Sequence, residues 1–260
     1  MIKIECGIKN FKSLKRKLKK IERLSEPFFS SYEFDLERVY EQAAKCKDVE
    51  NFIIAAQGGA VTSFLGMWSC LGVYFTTKNV FFLTTTDPDY INFLKKKCDP
   101  GKSLLVAISS SGENVNQLEM VLAFKEYKKL VIRANSKSAL AKLAEQEGVM
   151  VIESPDIPDR FAGAAELALA PASLVYIPMG KILKGYKEMK EKYLPAVPIE
   201  ENSALQFAAS LFLLEEKGYD EVYTLIYSQQ LAGFSEFVMQ MMHETVCKEG
   251  KGDFCCCSCS

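Results

Sequence analysis

The chain has 260 residues, 48% hydrophobic and 25% charged, which suits one large or two modest globular units and excludes disordered and fibrous classes. Thirty-two Lys and Arg stand against 33 Asp and Glu, a formal charge of -1 at pH 7. No nucleic-acid or membrane-surface partner is therefore expected, and an anionic ligand would need a local site. The basic start has no hydrophobic core or cleavage site behind it, and the apolar stretch 161–178 is interrupted by Glu166, Pro171 and Pro178. A soluble, unexported, cytoplasmic chain is expected.

In chain order, residues 9–23 are densely basic, with Phe11, Leu14, Leu18 and Ile21 three and four apart, the pattern of an amphipathic surface helix. From residue 51 the texture changes to short apolar runs at 52–56, 80–84, 104–109, 130–134 and 149–154. Between them lie helical stretches at 60–71, 90–97, 115–127 and 138–147. Continuous rather than alternating apolar runs mark strands covered on both faces, as in a parallel sheet. The β-α alternation predicts an α/β fold, a doubly wound parallel sheet flanked by helices, with ligands at the carboxyl ends of the strands. A loop at 155–160 then precedes an apolar helix at 162–177 and a Lys-rich helix to Lys192. Residues 194–203, with two prolines and a Glu pair, read as a linker. Helix 204–217, strand 222–228 and helix 231–247 follow, the start of a second αβα unit. A single strand cannot form a sheet, so it must join the first domain, pair with another chain, or await a continuation beyond Ser260.

Of the nine cysteines, Cys6, Cys46, Cys70, Cys98 and Cys247 are scattered and read as reduced core thiols. Cys255, Cys256, Cys257 and Cys259 could hold a soft metal, but adjacent side chains diverge and do not readily close one tetrahedron. Residues 253–260 are therefore expected to be a flexible Cys-rich tail. No metal or organic cofactor is expected. The domain organisation read here is a helical segment at 1–50, an α/β domain at 51–193, the partial αβα unit at 199–252, and the tail.

The strongest local chemical signal is the run from Ile108 through Ser109, Ser110, Ser111 and Gly112 to Glu113 and Asn114, after an apolar strand and before a helix. Hydroxyls and unpaired N–H groups at a helix N-terminus make a phosphate cradle. The alternative is simple N-capping by Ser111. Gln57-Gly58-Gly59-Ala60 follows the first strand in the same way, and two such loops at neighbouring strand ends would face one crevice.

Four stretches in order carry a resemblance to the sugar isomerase (SIS) superfamily, specifically to the phosphoglucose isomerase family. They are the Gly58-Gly59 turn, the Ser109–Gly112 loop, residues 155–161 (Pro-Asp-Ile-Pro-Asp-Arg-Phe) with the apolar helix behind them, and residues 240–252 around His243-Glu244. The resemblance implies aldose–ketose isomerisation, glucose 6-phosphate to fructose 6-phosphate, through an enediolate in glycolysis and gluconeogenesis. It implies that Ser109, Ser110, Ser111 and Asn114 line a phosphate loop, that Gly59 and Ala60 touch the sugar phosphate, that Arg160 steadies the enediolate, and that Glu244 is the base. A phosphosugar ligand, a homodimer and no cofactor are further implications. On the residues alone, Arg160 could equally pair with Asp156 or Asp159 at the surface, and Glu244 could be a solvated helix residue. The family's catalytic His and later Lys have no counterpart before Ser260, so no ring-opening acid is assigned. The alternative function is a catalytically weak or inactive phosphosugar-binding paralogue with a regulatory or scaffold role.

Overall fold

A computed structural model of the chain describes residues 8, 10–250, 252 and 254–259. Cys6 and Lys9 at the start, and Asp253 and Ser260 at the end, lie outside these residues. The helices in order are α1 (Lys15–Ile21), α2 (Phe28–Ser31), α3 (Leu36–Ala44), α4 (Gly59–Met67), α5 (Val73–Phe75) and α6 (Pro88–Lys97). They continue as α7 (Val115–Ala123), α8 (Ala139–Gln146), α9 (Glu166–Leu174), α10 (Met179–Tyr193), α11 (Ser203–Glu215) and α12 (Phe234–Met241).

Strands β1 (Asn51–Ala55), β2 (Asn79–Leu83), β3 (Ser103–Ser109), β4 (Lys128–Arg133) and β5 (Met150–Glu153) form one all-parallel sheet in the order β2-β1-β3-β4-β5. The five apolar runs predicted as strands are these strands. Successive side chains alternate across the sheet, and both faces are covered. Phe52 and Ile54 of β1, with Val106 and Ile108 of β3, form one cluster with Val39 and Ala43 of α3, Phe64 of α4 and Leu167, Leu169 and Leu174 of α9. Ile53 and Ala55, with Leu105 and Ala107, pack on the opposite side against Leu94 of α6, Met120 and Val121 of α7, and Leu140 of α8. Every residue of β1 and β3 is buried, so these two strands are the rigid centre on which the following loops stand.

The predicted N-terminal helix is present as a short turn at Lys12–Leu14 leading into α1. Its apolar stripe, Leu14 and Leu18, packs on Ala209 of α11, with Phe212 alongside. Helix α12 packs on α4 and so joins the carboxyl-terminal part of the chain to the first sheet.

One expectation is corrected. Residues 254–259 do not fray: they form β7 (Phe254–Cys259), parallel to β6 (Glu221–Ile226), in register from Glu221–Phe254 to Ile226–Cys259. The partner required by the lone predicted strand is thus the cysteine segment itself. Cysteine behaves as a small apolar residue, and Cys255 is 1% exposed. Among the described residues no cluster of His, Cys, Asp and Glu is arranged to hold a metal ion. Nor, among them, is any helix long and apolar enough to cross a membrane.

Candidate functional site

Strand order 2-1-3-4-5 places the topological switch point between β1 and β3, where the chain leaves in opposite directions and a crevice opens. The two loops singled out in the sequence flank it. The β1 loop runs into α4 and the β3 loop into α7, so both helices present N-terminal amides without intrahelical partners at the same edge. Gln117 on α7 locks the strands together, donating from Nε2 to the carbonyl oxygens of Ala55 (3.0 Å) and Ile108 (2.6 Å). Across the crevice, Asn114 Nδ2 donates to Gln57 Oε1 at 3.1 Å, tying one loop to the other.

The Ser109–Asn114 loop is internally ordered. Ser109 is buried, and its Oγ accepts from the Gly112 amide at 3.0 Å. Gly112 sits at φ +66°, and a Cβ there would lie 2.3 Å from Ser138 Oγ, so only glycine fits this bend. Ser110 is half-buried and Ser111 exposed. The helix cap is not Ser111: Asn114 occupies the N-cap and accepts from the Asn116 amide. Ser111 is left facing the pocket that follows β3. Glu113 turns away from the cradle, and its Oε1 accepts from the Ala139 amide at the start of α8, at 3.3 Å. Its charge is thereby directed to another helix dipole.

Gly59 is buried at the opposite wall. A Cβ on it would stand 2.6 Å from the Arg160 backbone nitrogen and 2.9 Å from Asp159 Cβ, so its lack of a side chain lets the 159–164 turn close over the β1 loop. Ala60 beside it is buried, 3% exposed. The turn is held from outside by stacking of Phe161 on Phe29 at 4.8 Å between ring centroids.

Arg160 and Glu244, 84 residues apart, meet here: Arg160 Nη1 lies 3.5 Å from Glu244 Oε2, and Arg160 Nε donates to Thr245 Oγ1 at 3.0 Å. Arg160 therefore forms its ion pair with Glu244. Glu244 sits on a single π-helical turn (Met242–Val246) that continues α12. Its other oxygen accepts from Gln240 Nε2 at 3.0 Å, and Gln240 Oε1 in turn accepts from Thr62 Oγ1 at 2.8 Å. Gln240 and Thr245 lie within the 240–252 stretch but are given no role by the sequence, because an amide and a hydroxyl on a helix are ordinary surface residues until the fold brings α12 onto α4. Asp159 also lies at this junction. Burial pushes its carboxyl above the ordinary range, the Ser110 hydrogen bonds and the Arg160 cation pull it down, and Glu244 pushes it up. His243, the single histidine of the sequence, points elsewhere. Its Nε2 accepts from the Cys255 amide at 3.1 Å, and its ring stacks on Phe254.

The same architecture is found in solved structures. A crystal structure of a hypothetical protein from Thermus thermophilus superimposes with a TM-score of 0.82 at 20% identity, covering 96% of this chain and 66% of that one. A glucose-6-phosphate isomerase from Chlamydia trachomatis superimposes with a TM-score of 0.71 at 17% identity, over 93% of this chain and 46% of that one. The fold is the α/β fold that these solved structures share, a parallel sheet flanked by helices. In sequence, the glucose-6-phosphate isomerase of Methanocaldococcus jannaschii is 25% identical over 214 residues, 78% of this chain and 52% of that protein. The chain is thus similar in sequence to curated glucose-6-phosphate isomerases. It spans about half the length of the curated relatives it matches. No protein-family model matches it.

Proposed function

We propose that the chain is a phosphosugar aldose–ketose isomerase, interconverting glucose 6-phosphate and fructose 6-phosphate through an enediolate. The observation that carries this reading is the meeting of Arg160 and Glu244 at the carboxyl edge of the sheet, beside two helix N-termini. In this reading the phosphate sits on the Ser109–Asn114 loop and the amides of Gly59 and Ala60. Glu244 removes the proton from C2 of the open-chain aldose and returns it to C1, and Arg160 stabilises the negative charge that develops on the oxygens between the two steps. The sign of the charges is right for that division of labour, and proton transfer between adjacent carbons needs no redox partner. The reading extends to a cytoplasmic homodimer, for which a solution mass of two chains is the expected result in light scattering.

A second reading, phosphosugar binding without efficient turnover, is favoured by one observation. Both Glu244 oxygens are engaged, and the single imidazole of the sequence is committed to the β7 backbone. Deuterium uptake from heavy water by fructose 6-phosphate, followed by NMR, separates the two, because it reports proton abstraction without ring opening. Uptake above the buffer blank that Glu244→Gln abolishes, with binding retained, is the expected result. Uptake at the blank rate in a protein that still binds the sugar would replace the isomerase reading with the binding one.

A further inference from the structure

Asp159 stands where the two anion-facing loops converge. On one side its Cβ and backbone press on Gly59. On the other it shares with Ser110 the wall of a pocket of about 520 Å³, completed by Ser111, Ala134, Asn135, Ser136, Lys137 and Asp156. Its Oδ1 is buried and has no hydrogen-bond partner among the described residues. The charged groups around it are Arg160 on its own turn, Glu244 from the turn that continues α12, and Asp156 and Lys137 on the pocket wall. Two cations and two carboxylates offset one another in sign, so the state of Asp159 decides whether the junction accepts an anion. An ionised carboxylate beside Ser110 repels a phosphoryl group, whereas a protonated one supplies a donor.

Resting on the phosphosugar reading of the same site, we propose that Asp159 is a specificity-determining residue that binds a proton together with the ligand's tetrahedral oxyanion. The proton comes from solvent and stays on the carboxyl, which donates it in a hydrogen bond to an oxygen of the anion. The loss of solvent contact that already favours the neutral carboxyl acts in the same direction. A ligand bound with one proton has a Kd that rises about tenfold for each pH unit above the pKa of the free site.

The full chain and Asp159→Asn are compared by calorimetric titration with fructose 6-phosphate and with inorganic sulfate, a dianion that does not itself titrate between pH 5 and 8. The ratio of wild-type to variant Kd cancels the ligand's own ionisation. It is expected to rise with pH, to about tenfold per unit at the alkaline end. Wild-type titrations in buffers of different ionisation enthalpy are expected to show uptake of close to one proton per ligand, a readout independent of whether the variant folds. A flat ratio, or no proton uptake, overturns the role of Asp159 while leaving the phosphosugar reading intact. Proton-linked binding of sulfate without binding of fructose 6-phosphate supports Asp159 and overturns the phosphosugar reading. No binding of either ligand overturns both.

Discussion

Thr62 and Gln240, 178 residues apart, share a hydrogen bond of 2.8 Å from hydroxyl to amide oxygen, and the same amide donates to Glu244. Through this relay α4, the first helix of the central sheet, sets where the candidate base stands. The proposed base is aimed by the N-terminal part of the chain although it is carried by the C-terminal part.

Replacing Gln240 by Leu is therefore expected to slow deuterium exchange into fructose 6-phosphate by about tenfold or more, because a positioned base contributes on the order of a hundredfold or more to proton transfer. Affinity for the sugar phosphate should change little. A double-mutant cycle with Thr62→Val, read in urea unfolding, should return a coupling of about 0.5–1.5 kcal/mol, the net worth of a half-buried neutral hydrogen bond.

Gly59→Ala places a methyl group within 2.6 Å of the Arg160 nitrogen. The obstacle is backbone, not the tip of a flexible side chain, so the 159–164 turn must shift. A loss of about 1–3 kcal/mol in urea unfolding is expected, with weaker ligand binding, since the displaced turn carries Arg160.

At the β3 loop, Ser109 and Ser111 play different parts: Ser109 Oγ holds the Gly112 amide, whereas Ser111 is exposed. Ser109→Ala should cost about 1 kcal/mol of stability through the unsatisfied amide, and Ser111→Ala almost none. The double variant should lose the thermal shift that fructose 6-phosphate gives the wild type, a stabilisation of roughly 2.7 kcal/mol at a hundredfold excess over Kd.

Just beyond the 159–164 turn, Glu166 is buried at the start of α9 and accepts from the Tyr32 hydroxyl at 2.7 Å. Burial pushes its carboxyl above the ordinary range, against the hydrogen bond from Tyr32. The folded state then binds a proton that the unfolded state, titrating at about 4.3, has released. This contribution is complete below the unfolded pKa and is lost as pH rises through the raised folded value. Glu166→Gln should remove that decline, so Tm measured upward from pH 4 should fall less in the variant than in the wild type.

Deleting residues 254–259 removes β7 and leaves β6 without a partner, while His243 loses the amide it accepts from. The expected outcome is loss of protection of β6 amides in hydrogen exchange, with the β1–β5 core retained. Unchanged protection would show that β6 is held by α11 and α12 alone.

Much of this architecture is readable from residues 51–154, because strands buried on both faces leave unbroken apolar runs and the helices between them do not. The loops after β1 and β3 are equally legible, since glycine and serine at a strand-to-helix turn have few other uses. What escapes is whatever depends on distant contact. Phe254 to Cys259 looks like a metal motif or a loose end until β6 is placed beside it. Ser111 looks like the cap until Asn114 takes that position. Gln240 is indistinguishable from any solvated amide, and Asp159 from a surface partner of Arg160, until α12 and the 159–164 turn close on α4.

The meeting of Arg160 with Glu244 also sets an order in time. The strands and crossover helices through β5 assemble from neighbours in sequence, and with them the cradle after β3, whereas Glu244 arrives only when α12 docks on α4. In the proposed reading, a chain emerging from its amino end thus acquires a place for the phosphate before it acquires a base. On that reading, a newly made molecule passes through a stage at which it can hold a sugar phosphate without altering it.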